Sequence, residues 1–289
     1  MDAIGRIERC LSAALATAGG PAGPPLLAGA MAHAVFPRGA RVRPRLALAV
    51  SSACGDDDMA AADGAAAAIE LLHCASLVHD DLPCFDDADM RRGRPSVHRA
   101  YGEPLAVLAG DALIVLAFQT LAAGARRSPL RLPMLLLILA HATGAPRGIA
   151  AGQAWESEPQ VDLGEYQRAK TGALFAAATM AGATAAGFDP EPWRALGEKL
   201  GEAYQVADDL GDVLSDAAEH GKPTGRDSAL CRPNAVLSLG VAGAMHHLES
   251  LAAAAADSIP ACPGAAALQA LTLSEARRLL PRDLSRRAA

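Results

Sequence analysis

No stretch of this chain alternates apolar and polar residues with the period of two that a half-buried strand needs. Almost every stretch repeats its apolar residues every three or four positions instead. That pattern commits the chain to helices packed on helices. Hydrophobic residues make up 51% of it and aromatics only 3%, so the core must be built from Ala, Leu, Val and Ile. These side chains suit close helix packing. The periodicity predicts helices over about 2–18, 24–36, 41–54, 58–81, 104–125, 128–153, 162–187, 190–217, 232–256 and 265–286. Gly19-Gly20-Pro21, Pro83, Gly221-Lys222-Pro223 and the segment Pro260 to Pro263 punctuate them. Loops are short apart from the stretch after Pro83. No Ser/Gly linker or change of composition divides the chain, which reads as one all-α domain over 1–289. The alanine runs Ala65–Ala68 and Ala252–Ala256 lie inside periodic segments and read as tight helix contacts.

The formal charge of −6 and pI near 5.7 argue against a nucleic-acid binder, which needs a basic face. They leave an anionic substrate open, because local clusters and bound metal decide that. Six cysteines stand at 10, 54, 74, 84, 231 and 262, with no CxxC pair and no zinc spacing, so free thiols in a reducing cytoplasm are expected. The first twenty residues carry acids early and read as an amphipathic helix, not a signal peptide. The most apolar stretch on this reading, Leu130 to Ala142, contains Arg131 and Pro133 and falls short of the roughly 20 residues a bilayer span needs. A soluble, cytoplasmic protein without a transmembrane segment is the expectation.

Two aspartate clusters interrupt the apolar pattern. The first is Asp80-Asp81-Leu82-Pro83-Cys84-Phe85-Asp86-Asp87-Ala88-Asp89, followed by Arg91, Arg92 and Gly93. Such a run is ordinarily a solvated acidic loop. Here it closes an apolar helix, and two arginines follow at once. Pro83 disfavours helix at Leu82. In an unbroken helix Asp80 and Asp86 would lie about 600° apart. A break lets Asp86 fold back beside Asp80, where two hard oxygen ligands suit magnesium. The second cluster, Asp208-Asp209-Leu210-Gly211-Asp212, puts Asp208 and Asp212 one turn apart on one helix face. Alone it would read as a solvent-facing acidic stripe. Two such clusters in an otherwise apolar helical chain point to divalent-metal chemistry.

With these motifs on the page, the sequence resembles the polyprenyl synthase family over essentially its whole length. DDLPCFDDADMRRG is similar to the family's first aspartate-rich motif in its bacterial form, and DDLGD to the second. Further matches follow in order: RVRP at 41–44, His73, AGDAL at 109–113, GQ at 152–153, KTGAL at 170–174, YQVADD at 204–209 and GKPTGRD at 221–227. Within the family, the resemblance is nearest to the bacterial geranylgeranyl diphosphate synthases of carotenoid-producing organisms.

The resemblance implies an isoprenoid synthase fold, an all-α bundle around a central catalytic cavity, in a homodimer. It implies head-to-tail condensation of isopentenyl diphosphate with dimethylallyl, geranyl or farnesyl diphosphate, with about three Mg2+ ions. Asp80, Asp86 and Asp208 match metal ligands, with Asp212 acting directly or through water. Arg91, Lys170, Thr171, Gln205 and Lys222 match positions that hold the allylic diphosphate or line the path of the carbocation. Asp80, Asp86, Asp208, Lys170 and Arg91 would carry the catalysis. Arg43, His73 and Arg92 match the isopentenyl diphosphate pocket. These residue types suit the reaction. A departing diphosphate needs metal ions, Lys and Arg in a site shielded from water. The lost proton can leave on the diphosphate, so no side-chain base is required.

Each position also has a plainer explanation: a core histidine at His73, surface lysines at Lys170 and Lys222, and Arg91 and Arg92 paired with the neighbouring aspartates. The chain departs from the family pattern at Ala40, where the family's GGKRxRP carries a lysine that touches isopentenyl diphosphate; Arg41 and Arg43 remain. Ala75 and Ser76, five and four residues before Asp80, are small where fifteen-carbon synthases place an aromatic ring. That leaves the shaft open toward a C20 product, with Leu71, Leu72 or Phe118 as a floor. Alternatives are a farnesyl or longer-chain synthase, a non-catalytic subunit of a heteromeric synthase, a terpene cyclase and a purely structural Ala-rich protein. The intact aspartate motifs weigh against the subunit. The RRG segment and the DDxxD form weigh against the cyclase.

Overall fold

The computed structural model describes residues 2–20, 22–36, 39–55, 57–160, 163–214 and 235–279. They form α1 (Ala3–Ala18), α2 (Pro25–Val35), α3 (Val42–Cys54), α4 (Met59–Asp80), α5 (Val97–Tyr101), α6 (Glu103–Gly124), α7 (Leu132–Thr143), α8 (Ile149–Ala154), α9 (Leu163–Gln167), α10 (Ala173–Ala185), α11 (Arg194–Leu214), α12 (Ala235–Asp257) and α13 (Ala265–Leu279). A π-helical turn, Arg168–Gly172, joins α9 to α10. Among the described residues the only sheet is a ladder of β1 (Met90–Arg91) with β2 (Arg94–Pro95).

Local chemistry sets the helix starts. The Asp2 carboxylate accepts from the Ile4 N–H (3.1 Å), and Asp58 accepts from Ala60 and Ala61 (3.2 Å each). Both satisfy orphan donors of a first turn. Helix α4 then runs through the middle of the molecule, with Ala65–Ala68, Ile69, Leu71, Leu72, Cys74 and Ala75 buried. Alanine on a central helix lets its neighbours approach from every side. Helix α6 pairs with it most extensively, and α1, α3 and α10 pack around the rest. Gly64 of α4 touches Gly124 of α6, and His79 touches Gly110 at the other end. The AGDAL segment therefore has a packing role. A side chain at 110 would overlap the His79 ring, next to Asp80. A second apolar cluster, centred on Trp193, joins α3, α10, α11 and α12.

The all-α expectation holds, with three local differences. The helix expected over 128–153 is two, α7 and α8, parted where Gly144, Pro146 and Gly148 fall within five residues. The 162–187 segment passes through the π turn. The long stretch after Pro83 contains the β1–β2 hairpin and the short α5, too brief to show a period. The amphipathic N-terminal helix is present as α1, burying Ile7, Leu11 and Ala14. The apolar stretch at Leu130–Ala142 falls largely in the short helix α7, but two other apolar helices are longer. Met59–Asp80 and Glu103–Arg127 are both long and apolar enough, by length and composition, to cross a bilayer. The first is mostly buried inside the bundle; the second is 39% buried. Cys10, Cys54, Cys74, Cys84 and Cys262 are free thiols, and Cys231 lies outside the described residues.

Candidate active site

Helix α4 stops where Pro83 approaches, and the chain turns back on it. The Asp86 N–H donates to the Asp80 carbonyl (2.9 Å), and Asp87 and Ala88 donate to Leu82 and Asp81 (3.1 and 3.2 Å). Asp86 is thereby returned to Asp80. The five carboxylates of this segment separate by partner. Asp81 is buried and accepts two hydrogen bonds from Arg91 Nε (3.0 and 3.1 Å). Asp87 and Asp89 pair with Arg99 at the surface (3.2 and 2.6 Å). The turn brings Asp80 and Asp86 together. The Asp80 carboxyl is pushed up to about 6. Burial is the main cause, Lys170 opposes it and Asp86 adds to it. A desolvated carboxylate beside a second one is an arrangement that a divalent cation stabilises.

Arg91 and Arg92 diverge because Arg92 (φ 53°) and Gly93 (φ 73°) form the two-residue turn between β1 and β2. Both central residues of such a turn need positive φ, and glycine supplies one of them without strain. Arg91 turns to Asp81. Arg92 turns to the other side, 3.9 Å from Glu70 and against Gly39. The pairing of Arg91 with a neighbouring aspartate, foreseen as its plainer role, is what this structure shows; Arg92 pairs elsewhere.

Arg92 lies near Arg43 there, and Arg43 reaches His73. Arg43 Nη1 lies 3.5 Å from His73 Nε2, and its guanidinium stacks over the Phe175 ring at 4.5 Å. Arg43 Nε and Arg92 Nη1 are buried without a protein hydrogen-bond partner. Burial pulls the Arg43 guanidinium below its ordinary value, and the charge of Arg92 adds to the fall. Two buried guanidinium donors of like charge, both unsatisfied, call for an anion. Arg41 is not part of this pocket. It is buried in ion pairs with Glu70 (2.6 Å) and Glu8 (2.9 Å) and ties α1 to α4. Of the two arginines retained in RVRP, Arg43 alone faces the anion pocket.

The π turn links the two aspartate clusters. Lys170 Nζ is 4.0 Å from Asp80 and hydrogen-bonded to Glu156. Thr171 Oγ1 donates to Gln205 Oε1 of α11 (3.1 Å). Gln205 donates in turn to Asp209 (3.0 Å), whose other oxygen accepts the Ala235 N–H at the start of α12 (2.7 Å). Asp209 is thus buried as a brace, while Asp208 is exposed. Asp212 follows one turn later on α11. Its side chain and all of Lys222 lie outside the described residues. Among the described residues no three His, Cys, Asp or Glu converge as a metal cage. Sequence reasoning missed Glu156 and the ring of Phe175. Glu156 stands three residues after the Gln153 of the GQ motif, and that spacing was the available signal.

The family model for polyprenyl synthetase matches residues 24–258. The chain is 55% identical to the geranylgeranyl diphosphate synthase of Cereibacter sphaeroides over 98% of both chains. It is 53% identical to that of Rhodobacter capsulatus over 95% of both. The chain belongs to the polyprenyl synthetase family. Its structure is similar to that of a geranyltransferase from Helicobacter pylori complexed with magnesium and isoprenyl diphosphate, with a TM-score of 0.80 and 32% identity over 94% of this chain and 95% of that one. A geranyltransferase from Legionella pneumophila gives the same score at 28% identity over 97% and 95%. The protein is a prenyltransferase of isoprenoid biosynthesis.

The two small residues below the first aspartate cluster stand on different sides of α4. Ser76 is one turn before Asp80 on the same face, partly exposed, its hydroxyl donating to the His73 carbonyl (2.9 Å). Ala75 is 1% exposed. It falls on the stripe of Gly64, Ala68, Leu71 and His79, whose ends touch α6. Lys170 is positioned by Gly152 of the GQ motif. A Cβ at 152 would sit 2.5 Å from the Lys170 backbone nitrogen. Gly152→Ala should therefore move the π turn, lowering kcat/KM by about 10- to 100-fold for a stability loss of about 1–3 kcal/mol. Steady-state kinetics beside a thermal melt will show it. Activity falling no faster than the folded fraction would contradict the assignment.

Proposed function

We propose that this polyprenyl synthetase is a magnesium-dependent geranylgeranyl diphosphate synthase, cytoplasmic and homodimeric. It would condense isopentenyl diphosphate with dimethylallyl, geranyl or farnesyl diphosphate to a C20 product that feeds isoprenoid, including carotenoid, synthesis. The observation that carries the reading is the pairing of two chemically distinct half-sites. One is the pair of carboxylates Asp80 and Asp86, brought together at the end of α4. The other is the anion pocket with unsatisfied donors on Arg43 and Arg92. Two diphosphates, one to be activated and one merely held, need those two environments.

The donor set fits magnesium, which accepts one or two carboxylates and takes its remaining ligands from water and phosphate oxygen. Asp80, Asp86 and Asp208 would hold about three such ions, with Asp212 acting directly or through water. When bound, the metal neutralises the charge that develops on the leaving diphosphate. The chain's own groups do the rest. Lys170, Arg91 and Lys222 hold the allylic diphosphate. Arg43, Arg92 and His73 hold isopentenyl diphosphate, with its double bond toward the allylic C1. As the C1–O bond breaks, Thr171 and Gln205 offer oxygen dipoles to the cation. The double bond attacks, a proton leaves to the released diphosphate, and no side chain is alkylated. The test is incorporation of labelled isopentenyl diphosphate with each allylic substrate, with Mg2+ and with a chelator. Incorporation that persists in the chelator would contradict the metal assignment.

The homodimer is supported by α6. Leu108 and Val115 are 52% and 57% exposed on one of its faces, and Met134 and Leu137 are exposed on α7. An apolar face of that kind is ordinarily covered. Light scattering should give twice the 29.5 kDa chain mass. Leu108→Glu with Val115→Glu should reduce it to the chain mass. A wild-type monomer at all concentrations would contradict the dimer.

A further inference from the structure

Glu156 has no role in the reaction, yet it is held by three neighbours at the mouth of the site. It sits on the 3-10 turn Trp155–Ser157, between α8 and α9. One oxygen accepts from Lys170 Nζ (2.5 Å) and from the Tyr166 hydroxyl (2.7 Å). The other is 3.5 Å from Gln153 Nε2. Both ends of the ion pair are sheltered, with side-chain exposures of 18% and 20%. Lys170 Nζ is at the same time 4.0 Å from Asp80. A lysine carries a flexible four-carbon stem and a point charge with three donors, so its position must be imposed from outside. Here one donor is fixed on Glu156 and the ammonium is left beside Asp80.

We infer that Glu156 is a positioning residue, which holds the Lys170 ammonium at the carboxylate mouth so that an arriving allylic diphosphate meets it already in place. The inference rests on the reading of Lys170 as an allylic diphosphate ligand. Glu156 itself would touch neither substrate. Tyr166 supports it by fixing the carboxylate rotamer. Its ring also lies beneath the ammonium, 5.7 Å from ring centre to Nζ. The isopentenyl pocket of Arg43 and Arg92 is built from α3 and the β1–β2 turn and would not sense the change.

The test is a double-mutant cycle. Glu156→Gln keeps an acceptor for Tyr166 and removes the charge that holds Lys170. It should lower kcat/KM for farnesyl diphosphate by about tenfold or more, a change worth about 1.4 kcal/mol per factor of ten. KM for isopentenyl diphosphate should stay within about twofold. In a Lys170→Met background the same substitution should have almost no further effect, because the group it positions is gone. Glu156→Asp, which keeps the charge, should recover part of the loss. Should Glu156→Gln fail to fold, Tyr166→Phe carries the same cycle, since it removes only the hydroxyl that orients Glu156. An equal loss in the wild-type and Lys170→Met backgrounds would overturn the inference, as would a matching rise in KM for isopentenyl diphosphate. A wild-type protein unable to extend farnesyl diphosphate would instead overturn the functional reading beneath it.

Discussion

Replacing Asp80 or Asp208 with alanine is expected to cut turnover by about 10³-fold or more while the helical fold survives. Each removes a proposed ligand of the ions that neutralise the leaving diphosphate, and neither supports the bundle. Asp208 is exposed, and Asp80 stands at the mouth with Lys170 as its nearest cation. Their immediate neighbours should behave in the opposite way. Asp81→Ala strips the partner from the sheltered Arg91, and breaking a buried pair from one side commonly costs about 3–5 kcal/mol. Asp209→Ala removes the acceptor for both Gln205 and the first N–H of α12. These two variants should lose thermal stability first and activity as a consequence. Circular dichroism melts beside Mg2+-dependent rates separate the classes. Near-normal turnover in Asp80→Ala with Mg2+ as the only metal would sink the metal assignment.

Ser76→Phe is expected to shorten the main product from C20 to C15. Ser76 lies about 6 Å below Asp80 on the same helix face, at 1.5 Å per residue. Ile69 and Leu72 continue that side of α4 downward. On the proposed reading, a ring at 76 would take up the volume into which a fourth isoprene unit extends. A penalty of about 1.4 kcal/mol already changes a partition tenfold. The first condensation should survive, because the substitution lies below the diphosphate site. Ala75→Phe should shorten the product too. There the ring enters the seam between α4 and α6, so it should also cost about 1–3 kcal/mol of stability. Chromatography of the dephosphorylated products decides. A Ser76→Phe enzyme that still makes mainly C20 at the wild-type rate would place the cavity floor elsewhere.

Periodicity and punctuation were enough to read most of the long helices, since alanine-rich segments carry their own signal, but not the break between α7 and α8, the π turn or the short α5. The break at Pro83 was equally legible, because proline acts locally. Which aspartate of each adjacent pair does chemistry was less so. Asp80 and Asp81 are indistinguishable until the hairpin delivers Arg91 to one of them, and Asp208 and Asp209 until α12 docks. Arg41 and Arg43 look alike for the same reason; only the approach of Glu8 and Glu70 turns Arg41 into a brace. The Arg92-Gly93 turn has a local signature, glycine in a two-residue loop, hidden by strands two residues long. The spacing of Glu156 after the GQ motif marks its position, but its pairing with Lys170 comes from a contact between separate helical segments. Ala75 and Ser76 are neighbours in sequence, yet about 100° of helical rotation puts one against α6 and the other under the mouth.

The most direct test of the account is the mass of the product formed from farnesyl diphosphate, isopentenyl diphosphate and Mg2+ by the purified protein. One added five-carbon unit is expected, a C20 diphosphate as the dominant species, lost in Asp80→Ala. Farnesyl diphosphate returned unchanged, with isopentenyl diphosphate unconsumed by a folded protein, would contradict it.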